Sequence, residues 1–334
     1  MKRKLLSVII SALLVFSNIG LVRGEILPHN SEVVRPAIVS HGGSATPIVN
    51  IVAPNVNGLS HNKYEKFDVD ANGAVLNNAI GTAQSEIIGE EIAGNPNLTE
   101  SAAQVILNEI LSIDKSRSQI NGAVEIAGAA ADLIIANAYG ITINGGSFIN
   151  ANKVSLVAGS PVIAEEALKS FTMGRSGFIE VGSGGLDATN SAIEIISRYM
   201  KIMGELKGKG VEIKTGNIEY NYETGEMISG ELEGEEEEDP IEEEFKQYAV
   251  SAAAFGSIHG DRIKIIATEK GLGVKTASGS GLVSNVSEIR IESAGEIEVG
   301  GDITSETDIT IESQDKINNF GKLQAAEAIE ITAE

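Results

Sequence analysis

The feature that most constrains the fold is a recurring spacing of isoleucine, leucine and valine. Near the end of the chain, a shift of twenty residues lays one set of apolar positions on the next: Ile289 on Ile309, Ile291 on Ile311, Ile297 on Ile317, Ile303 on Leu323, Ile309 on Ile329 and Ile311 on Ile331. The intervals between these short stretches are rich in Gly, Asn, Ser and Asp. A repeat of about twenty residues with such corners is typical of stacked β-solenoid coils.

The same spacing occurs earlier, around the stretch LIIANAYGITINGG at residues 133–146. Two apolar pairs, Leu133 with Ile135 and Ile141 with Ile143, flank a turn and predict two short strands, each with one buried face. Related apolar positions follow at Phe148, Val154, Leu156, Ile179, Val181, Leu186, Ile193, Ile195, Ile263 and Ile265. A single coil buries too few side chains to offset the conformational entropy of its ordered backbone, so the coils must stack.

The segment before the coils is rich in proline and β-branched residues. Residues 26–57 contain prolines at positions 28, 36, 47 and 54, and this density excludes a helix and favours edge strands. We expect short strands that cover the open end of the first coil, the clearest of them at Ile48–Ile51. At the other end, residues 330–334 stop in the middle of a coil without a capping segment, which predicts that the natural chain continues or is a truncated copy.

The repeat breaks between residues 217 and 250. Tyr220, Tyr222 and a turn at Thr224–Gly225 indicate a hairpin that leaves the stack. The acidic run Glu231–Glu244 follows, and contiguous like charge of this kind repels itself and stays solvated. A bound cation is the alternative, but it would need spaced loop ligands.

One short pattern resembles the opening of a calcium-binding loop. Asp68, Asp70, Asn72 and Gly73 match its first ligand positions, but Ala79 stands at the twelfth position, where that loop needs a bidentate Glu. We therefore predict a β-turn stabilised by an Asp or Asn side chain.

The interval Ser101–Ile113 is the one helix-like part of the chain. Ser101 and Gln104 fit a capping box, and Val105, Ile106 and Ile110 share a helical face. A loop with a single turn is the alternative.

The chain begins as an exported protein does. Three basic residues precede the apolar run Leu5–Leu21, and Gly24 closes a cleavage-site pattern, so residues 1–24 are predicted to be a secretory signal peptide. Removing them changes the formal net charge from -22 to about -26. A domain this acidic is unsuited to bind nucleic acid.

Composition argues against metal or catalytic chemistry. The chain has no cysteine, and its four histidines are scattered at positions 29, 41, 61 and 259. We therefore predict no metal site, no cofactor and no histidine-based catalytic centre. The absence of cysteine also fits a chain that crosses a membrane unfolded, because no disulfide loop can obstruct its passage.

Several motifs in a fixed order resemble those of one protein family. They are PIVNI at 47–51, SHNKYEKFDV at 60–69, GNPNL at 94–98, ADLIIANAYGITING at 131–145, GSIHGDRIKII at 256–266, GLGV at 271–274 and SAGEIEVG at 293–300. The chain resembles the amino-terminal two-partner secretion domain of filamentous haemagglutinin-like exoproteins. The resemblance implies an all-β, right-handed parallel β-helix with N-terminal capping strands, an extra-helical hairpin and an acidic loop.

On this interpretation, one secretion domain occupies residues 25–334. Its cap and first coils occupy residues 25–120, and further coils occupy 121–216. The hairpin and the acidic loop occupy 217–250, and the last coils occupy 251–334.

The resemblance also implies a function and a partner. Such domains are recognised by the periplasmic modules of an outer-membrane β-barrel transporter, which exports an adhesin or haemagglutinin. The expected localisation is secreted or on the cell surface of a Gram-negative bacterium. Contact with host or neighbouring cells would use regions beyond this segment, and no enzyme activity is expected.

Two asparagine-rich signatures are the expected recognition sites. The first is complete here, whereas the second departs from the family's usual N-P-N-G-I at Ala138 and Tyr139. The candidate recognition residues are Asn95, Pro96, Asn97, Leu98, Asn137, Gly140 and Ile141. Asparagine also fixes chain corners through side-chain to backbone hydrogen bonds, so these residues serve either folding or direct contact with the partner.

Three other functions stay open from the sequence. A contact-dependent toxin or a haemolysin shares this secretion domain and differs downstream. A polysaccharide-degrading enzyme on a β-helix would need clustered Asp, Arg or Lys on successive coils, whereas the spacing places mostly Glu, Ser and Thr there. A purely structural surface protein would have no partner barrel.

Overall fold

The structure, a computed structural model, describes residues 24–30, 34–175, 177–231 and 243–334. Within these ranges the regular structure is β-strand, apart from one 3₁₀ turn at Glu243–Lys246. The predicted signal peptide and most of the predicted acidic run lie outside the described residues. In the described part of the chain, no helix is long and apolar enough to span a bilayer.

The strands follow one another along the chain in three groups. The first group comprises β1 (Glu25–Pro28), β2 (Ala37–Val39), β3 (Ile48–Asn50), β4 (Leu59–Asp68), β5 (Ala74–Asn78), β6 (Ala83–Gln84), β7 (Glu91–Ile92), β8 (Val105–Ile110), β9 (Ser118–Ile120), β10 (Ala123–Gly128), β11 (Ala131–Asn137), β12 (Ile141–Ile143), β13 (Gly146–Ile149) and β14 (Ala151–Val157). The second comprises β15 (Gly159–Ala164), β16 (Ala167–Met173), β17 (Phe178–Val181), β18 (Leu186–Ser197), β19 (Tyr199–Ile202), β20 (Glu205–Thr215), β21 (Glu219–Asn221) and β22 (Met227–Ile228). The third comprises β23 (Tyr248–Ala252), β24 (Ser257–Gly260), β25 (Ile263–Ala267), β26 (Gly273–Thr276), β27 (Gly281–Ser284), β28 (Ile289–Ser293), β29 (Ile297–Val299), β30 (Asp302–Ser305), β31 (Ile309–Ser313), β32 (Ile317–Asn319), β33 (Leu323–Ala325) and β34 (Ile329–Ala333).

The strands stack in parallel, coil upon coil. In the last coils, Ile289 pairs with Ile309, and Ile309 pairs with Ile329, all in parallel register. The same shift of twenty pairs Ile297 with Ile317 and Ile303 with Leu323. The predicted repeat is therefore confirmed, and the chain is a parallel β-helix of the right-handed type that crossover connections between parallel strands favour.

Each coil contributes inward side chains to one continuous apolar core. The inward residues of a typical coil are fully buried; they are Ile289, Ile291, Ile297, Val299 and Ile303. A coil within the stack also bonds its backbone to the coils on either side, so its polar groups are satisfied. In β34, by contrast, Ile329 and Ile331 are 46% and 48% exposed.

Insertions explain why the repeat is irregular in the middle of the chain. Val154 of β14 pairs with Ile193 of β18, which lies 39 residues later, because residues 159–173 leave the stack as a hairpin. Val211 of β20 pairs with Ile263 of β25, which lies 52 residues later. The predicted extra-helical hairpin accounts for part of this second gap, since β21 and β22 pair antiparallel.

The two insertions join into one antiparallel sheet, which we call the outer sheet. Its strand order is β15-β16-β21-β22. The outer sheet packs on the outward face of the β-helix, where Phe171 of β16 and Tyr220 of β21 cover a second apolar cluster that includes Leu107, Ile134, Val157 and Ile196. Residues 159–173 were not predicted to leave the stack.

The prediction of one buried face per strand is wrong beneath the outer sheet. Leu133 and Ile135 of β11 face the interior, while Ile134 and Ala136 face the outer sheet. All four side chains are at most 1% exposed. Consecutive apolar residues, as in LIIA, are the sequence signal of a strand that is covered on both faces.

The helix prediction for Ser101–Ile113 is also wrong. This interval contains strand β8, which pairs in parallel with β4 on one edge and with β11 on the other. Ile106 faces the interior and Leu107 faces the outer sheet. The grouped apolar residues that suggested a helical face therefore reflect burial on both faces, and pairing on two edges outweighs local helix propensity.

Antiparallel strands cover the N-terminal end, as predicted. Strand β1 pairs with β4 and β2 pairs with β3, which is the strand predicted at Ile48–Ile51. The predicted β-turn is also present, because Asp70 Oδ1 accepts the Asn72 N–H at 2.9 Å and the Asp70 carbonyl accepts the Gly73 N–H at 2.9 Å.

Stacking predicts unequal costs for the same substitution in adjacent coils. We expect Ile309→Ala to lower the free energy of unfolding by about 2–5 kcal/mol, because it leaves a cavity in the core. In a chain that ends at Glu334, Ile329→Ala should cost about 1 kcal/mol or less, because no further coil covers its half-exposed side chain. Urea unfolding of both variants measures the difference, and equal costs would contradict this account of the core.

Candidate functional site

The first asparagine-rich signature forms a tight turn between β7 and β8. The Asn95 carbonyl accepts the Leu98 N–H at 3.0 Å, and Asn95 Oδ1 accepts the Asn97 N–H at 2.9 Å. Pro96 is exposed at the second turn position, where its fixed φ favours a β-turn. Leu98 is buried.

The side-chain amides of this turn bind the backbone of neighbouring strands. Asn95 Nδ2 donates to the carbonyls of Ile51 and Asn77, both at 2.9 Å. Asn97 Nδ2 donates to the same Ile51 carbonyl at 3.0 Å. Asn95 is only 2% exposed, so its amide group is fully used within the fold.

The second signature forms an equivalent turn at the end of β11. The Asn137 carbonyl accepts the Gly140 N–H at 2.9 Å, and Asn137 Oδ1 accepts the Tyr139 N–H at 3.0 Å. Asn137 Nδ2 donates to the Ser116 carbonyl and to Ser118 Oγ, both at 3.1 Å. Asn137 is 1% exposed, and it therefore ties its corner to the segment that leads into β9.

Gly140 and Ile141 lead this turn into the next strand. Gly140 has φ +109°, and a Cβ atom there would lie 2.0 Å from the carbonyl oxygen of Phe178. Only glycine fits this close approach of two backbones. Ile141 begins β12 and is fully buried, in parallel register with Ile179.

The two turns share one construction but occupy separate corners. Their side-chain amides bond to different partners, Ile51 and Asn77 for the first turn and Ser116 and Ser118 for the second. The tip of the second turn, Ala138 and Tyr139, is half-buried. Since the turn uses the backbone N–H of Tyr139, replacing the family's usual Asn there leaves this hydrogen bond intact.

This combination of fold and corner motifs has known counterparts. The family model described as the TPS secretion domain matches residues 24–299. The chain belongs to the TPS secretion domain family.

Similar proteins include ones named as a tRNA nuclease, a filamentous hemagglutinin and a hemolysin. The chain is 32% identical over 258 residues to a tRNA nuclease CdiA of Yersinia mollaretii, 32% over 271 residues to a filamentous hemagglutinin of Bordetella pertussis and 33% over 240 residues to a hemolysin of Proteus mirabilis. These matches cover 72–78% of this chain, but only 8%, 7% and 14% of the length of the three relatives.

A solved structure supports the same assignment. The crystal structure of a filamentous hemagglutinin secretion domain matches with a TM-score of 0.67 at 26% identity, and covers 92% of this chain and 99% of that one. The prediction of a two-partner secretion domain on a parallel β-helix is confirmed. Proteins with this domain are secreted or at the surface of Gram-negative bacteria, which is the predicted localisation.

Further asparagines in this secretion domain form similar ties that the sequence analysis missed. Asn78 Oδ1 accepts the Ala103 N–H at 2.7 Å, and its Nδ2 donates to the Ala103 and Ala129 carbonyls, both at 2.9 Å. Asn77 Nδ2 donates to Asn50 Oδ1 at 2.9 Å across paired strands. The sequence signal for these ties is the polar pair Asn77 and Asn78, which ends the apolar stretch AVLNN.

Two buried side chains of opposite charge, Glu194 and Lys214, lie beneath the outer sheet. Glu194 of β18 is 3% exposed and contacts Lys153 Nζ at 2.7 Å, Lys214 Nζ at 2.9 Å and the Tyr220 hydroxyl at 2.6 Å. Burial by itself raises the pKa of Glu194, but the attraction of Lys153 and Lys214 together with these hydrogen bonds lowers it to about 2. The carboxylate is thus a charged anchor between the β-helix and the outer sheet.

The outward face of the later coils carries paired charges. Arg290 of β28 bonds to Glu292 and to Glu312, and Arg262 bonds to Glu212 at 2.6 Å. Acidic and basic side chains there neutralise each other across coils instead of converging on a cleft. Among the described residues, no group of His, Asp or Glu side chains is arranged to hold a metal ion.

The close approach at Gly140 predicts a specific sensitivity. Gly140→Ala should lower the free energy of unfolding by about 1–3 kcal/mol more than Gly145→Ala. Both glycines have positive φ, but the space at Gly145 is open, with the nearest atom 4.0 Å from an added Cβ. Chemical denaturation compares the two variants, and equal losses would show that positive φ alone sets the requirement.

The anchor at Glu194 predicts a pH dependence. Its pKa falls from 4.5 when unfolded to about 2 when folded. The stabilisation, on the order of 3 kcal/mol, is therefore fully present above pH 4.5 and lost as the pH falls towards 2. Relative to Glu194→Gln, the wild type should lose its stability advantage across that range in urea unfolding.

Glu223 provides the matched control for this pH experiment. It also pairs with a lysine of the outer sheet, Lys169 at 2.6 Å, but both side chains are largely exposed. Glu223→Gln should lower the free energy of unfolding by less than about 1 kcal/mol, because an exposed ion pair contributes little to stability. A Glu194→Gln profile parallel to that of the wild type would contradict the proposed anchor.

Proposed function

We propose that an outer-membrane β-barrel transporter recognises this domain in the periplasm and then exports the exoprotein that carries it. The observation that carries the proposal is the family match over residues 24–299 together with the β-helix fold. The periplasmic modules of the barrel would be the direct partner. Adhesion to host or neighbouring cells would use parts of the exoprotein beyond this segment.

The physical chemistry of the chain supports export in an unfolded state. It has no cysteine, so no disulfide must be broken for it to pass a narrow pore. Each coil that forms outside the cell buries further apolar surface against its neighbour, and this deepening of the folded state biases movement outward without a nucleotide. The predicted signal peptide would deliver the chain to the periplasm first.

The seven candidate residues would serve recognition mainly by fixing the shape of the two turns whose surface the partner contacts. The amides of Asn95 and Asn137 are buried and already bonded to backbone carbonyls. The accessible parts of the two turns are the exposed Pro96 and the half-buried Asn97, Ala138 and Tyr139. Direct contact of the partner with the asparagine amides is the competing role.

A toxin or haemolysin is the second candidate for the whole exoprotein. Relatives of similar identity bear the names tRNA nuclease CdiA, filamentous hemagglutinin and hemolysin. The secretion domain is compatible with each of them, so the sequence downstream of this segment decides between them.

Binding to the periplasmic modules of the barrel encoded beside this chain tests the proposal. Purified residues 25–334 should bind, and the exposed variant Asn285→Asp, far along the chain from both turns, should bind equally well. Asn137→Asp should lose binding in proportion to the folded fraction seen by circular dichroism, because it places a carboxylate against the Ser116 carbonyl.

Two outcomes would contradict parts of this account. A fully folded Asn137→Asp variant that fails to bind would show that the partner contacts the Asn137 side-chain amide directly. Failure of the folded wild type to bind would overturn the export proposal and favour a purely structural surface protein.

A further inference from the structure

We propose that the outer sheet is a clasp that makes the coils from β4 to β20 fold as one cooperative unit, which is complete only when residues 219–228 are in place. The coils after β24 lack this clasp and can add one at a time. The proposal concerns the folding of this chain and holds whichever partner the domain has.

The clasp is assembled from two hairpins that leave the stack at different coils. Strand β16 of the first hairpin pairs with β21 of the second, with Phe171 opposite Tyr220. Neither hairpin alone forms the sheet that covers the β-helix, and a lone two-stranded hairpin is marginally stable in water. The cover therefore closes only after the later hairpin has been made.

The apolar surface under the clasp belongs to strands that come much earlier in the chain. Leu107 of β8, Ile134 of β11, Val157 of β14 and Ile196 of β18 all point outward and are 0–1% exposed, with Phe171 above them. Without the clasp, four successive coils would present a continuous apolar strip to water. The burial of Leu107 in β8 thus depends on residues 219–228, which lie more than a hundred positions later in the chain.

The buried charges depend on the same closure. Glu194 takes one lysine from β14 and another from β20, while the clasp supplies the Tyr220 hydroxyl. Lys214 is 8% exposed and Glu194 is 3% exposed. A charge pair stripped of water needs all of its partners, so partial assembly of this group is unfavourable.

The tip of the first hairpin reaches back to the start of the β-helix. The Glu166 carbonyl accepts Nδ2–H bonds from Asn55 at 2.6 Å and from Asn57 at 3.2 Å. Glu165 and Glu166 have φ of +53° and +59°, which is a left-handed turn that favours Asn or Gly. The contact with the loop before β4 helps hold two glutamates in this conformation.

The later coils have no such cover in the described structure. Strands β25, β28 and β31 carry charged side chains on their outward face, and each pairs with the coil before and the coil after it. Their stability is a sum of neighbour contacts. The chain therefore contains a clasped block followed by independent coils.

Hydrogen exchange of residues 25–334 with Phe171→Ala tests the clasp. We expect exchange to accelerate about tenfold or more in β8 and β11, although these strands are distant in sequence from the substitution, and to stay unchanged in β28 and β31. Val162→Ala, on the 40%-exposed outer side of the same hairpin, is the control and should change nothing in β8.

If the Phe171→Ala variant does not fold, Tyr220→Phe provides a milder test of the same proposal. It removes one hydroxyl from Glu194 and keeps the ring, and it should accelerate exchange in the same strands to a smaller degree. The proposal is overturned if acceleration is confined to residues 159–173 and 219–228, or if β31 accelerates as much as β8.

Discussion

The whole structure depends on each coil returning the chain to the same strand register, one inter-strand spacing further along the axis of the β-helix. Inward isoleucines stack only if every corner returns the backbone to its place, and a shift of one residue would turn the apolar side outward. With no cysteine in the chain, this alignment rests on non-covalent contacts at the corners. The buried asparagine amides, which donate to carbonyls of neighbouring segments, are the clearest of these contacts.

Stability is distributed unevenly along the stack. The first coils are covered on both faces and anchored by a buried glutamate, whereas the later coils are covered only inside and carry ion pairs outside. In the export of an unfolded chain that we propose, this arrangement would delay full stability until a long segment has emerged. The coils that follow then extend an existing template. The relatives are far longer than this segment, which matches only 8% and 7% of their length.

Local alternation was enough to predict the interior, and family motifs were enough to predict the fold. The inward positions from Ile289 onward are predictable because the regular shift of twenty residues sets each isoleucine against its counterpart in the adjacent coil, as Ile289 against Ile309. The outer sheet was not predicted as a whole, because residues 159–173 alternate like a coil and only their partners in β21 show that they lie outside. Glu194 likewise reads as a solvated glutamate, and Ile106 as part of a helical face, until the tertiary contacts are known.

The most direct test of this account is the protection of the Asn95 and Asn137 side-chain amides in the native protein, measured by hydrogen exchange with NMR. Corner ties that hold adjacent segments together predict that both Nδ2 groups exchange as slowly as the backbone amides of β11. Exchange at the rate of the exposed Asn285 side chain would show that these amides are free, and would contradict their role in aligning the coils.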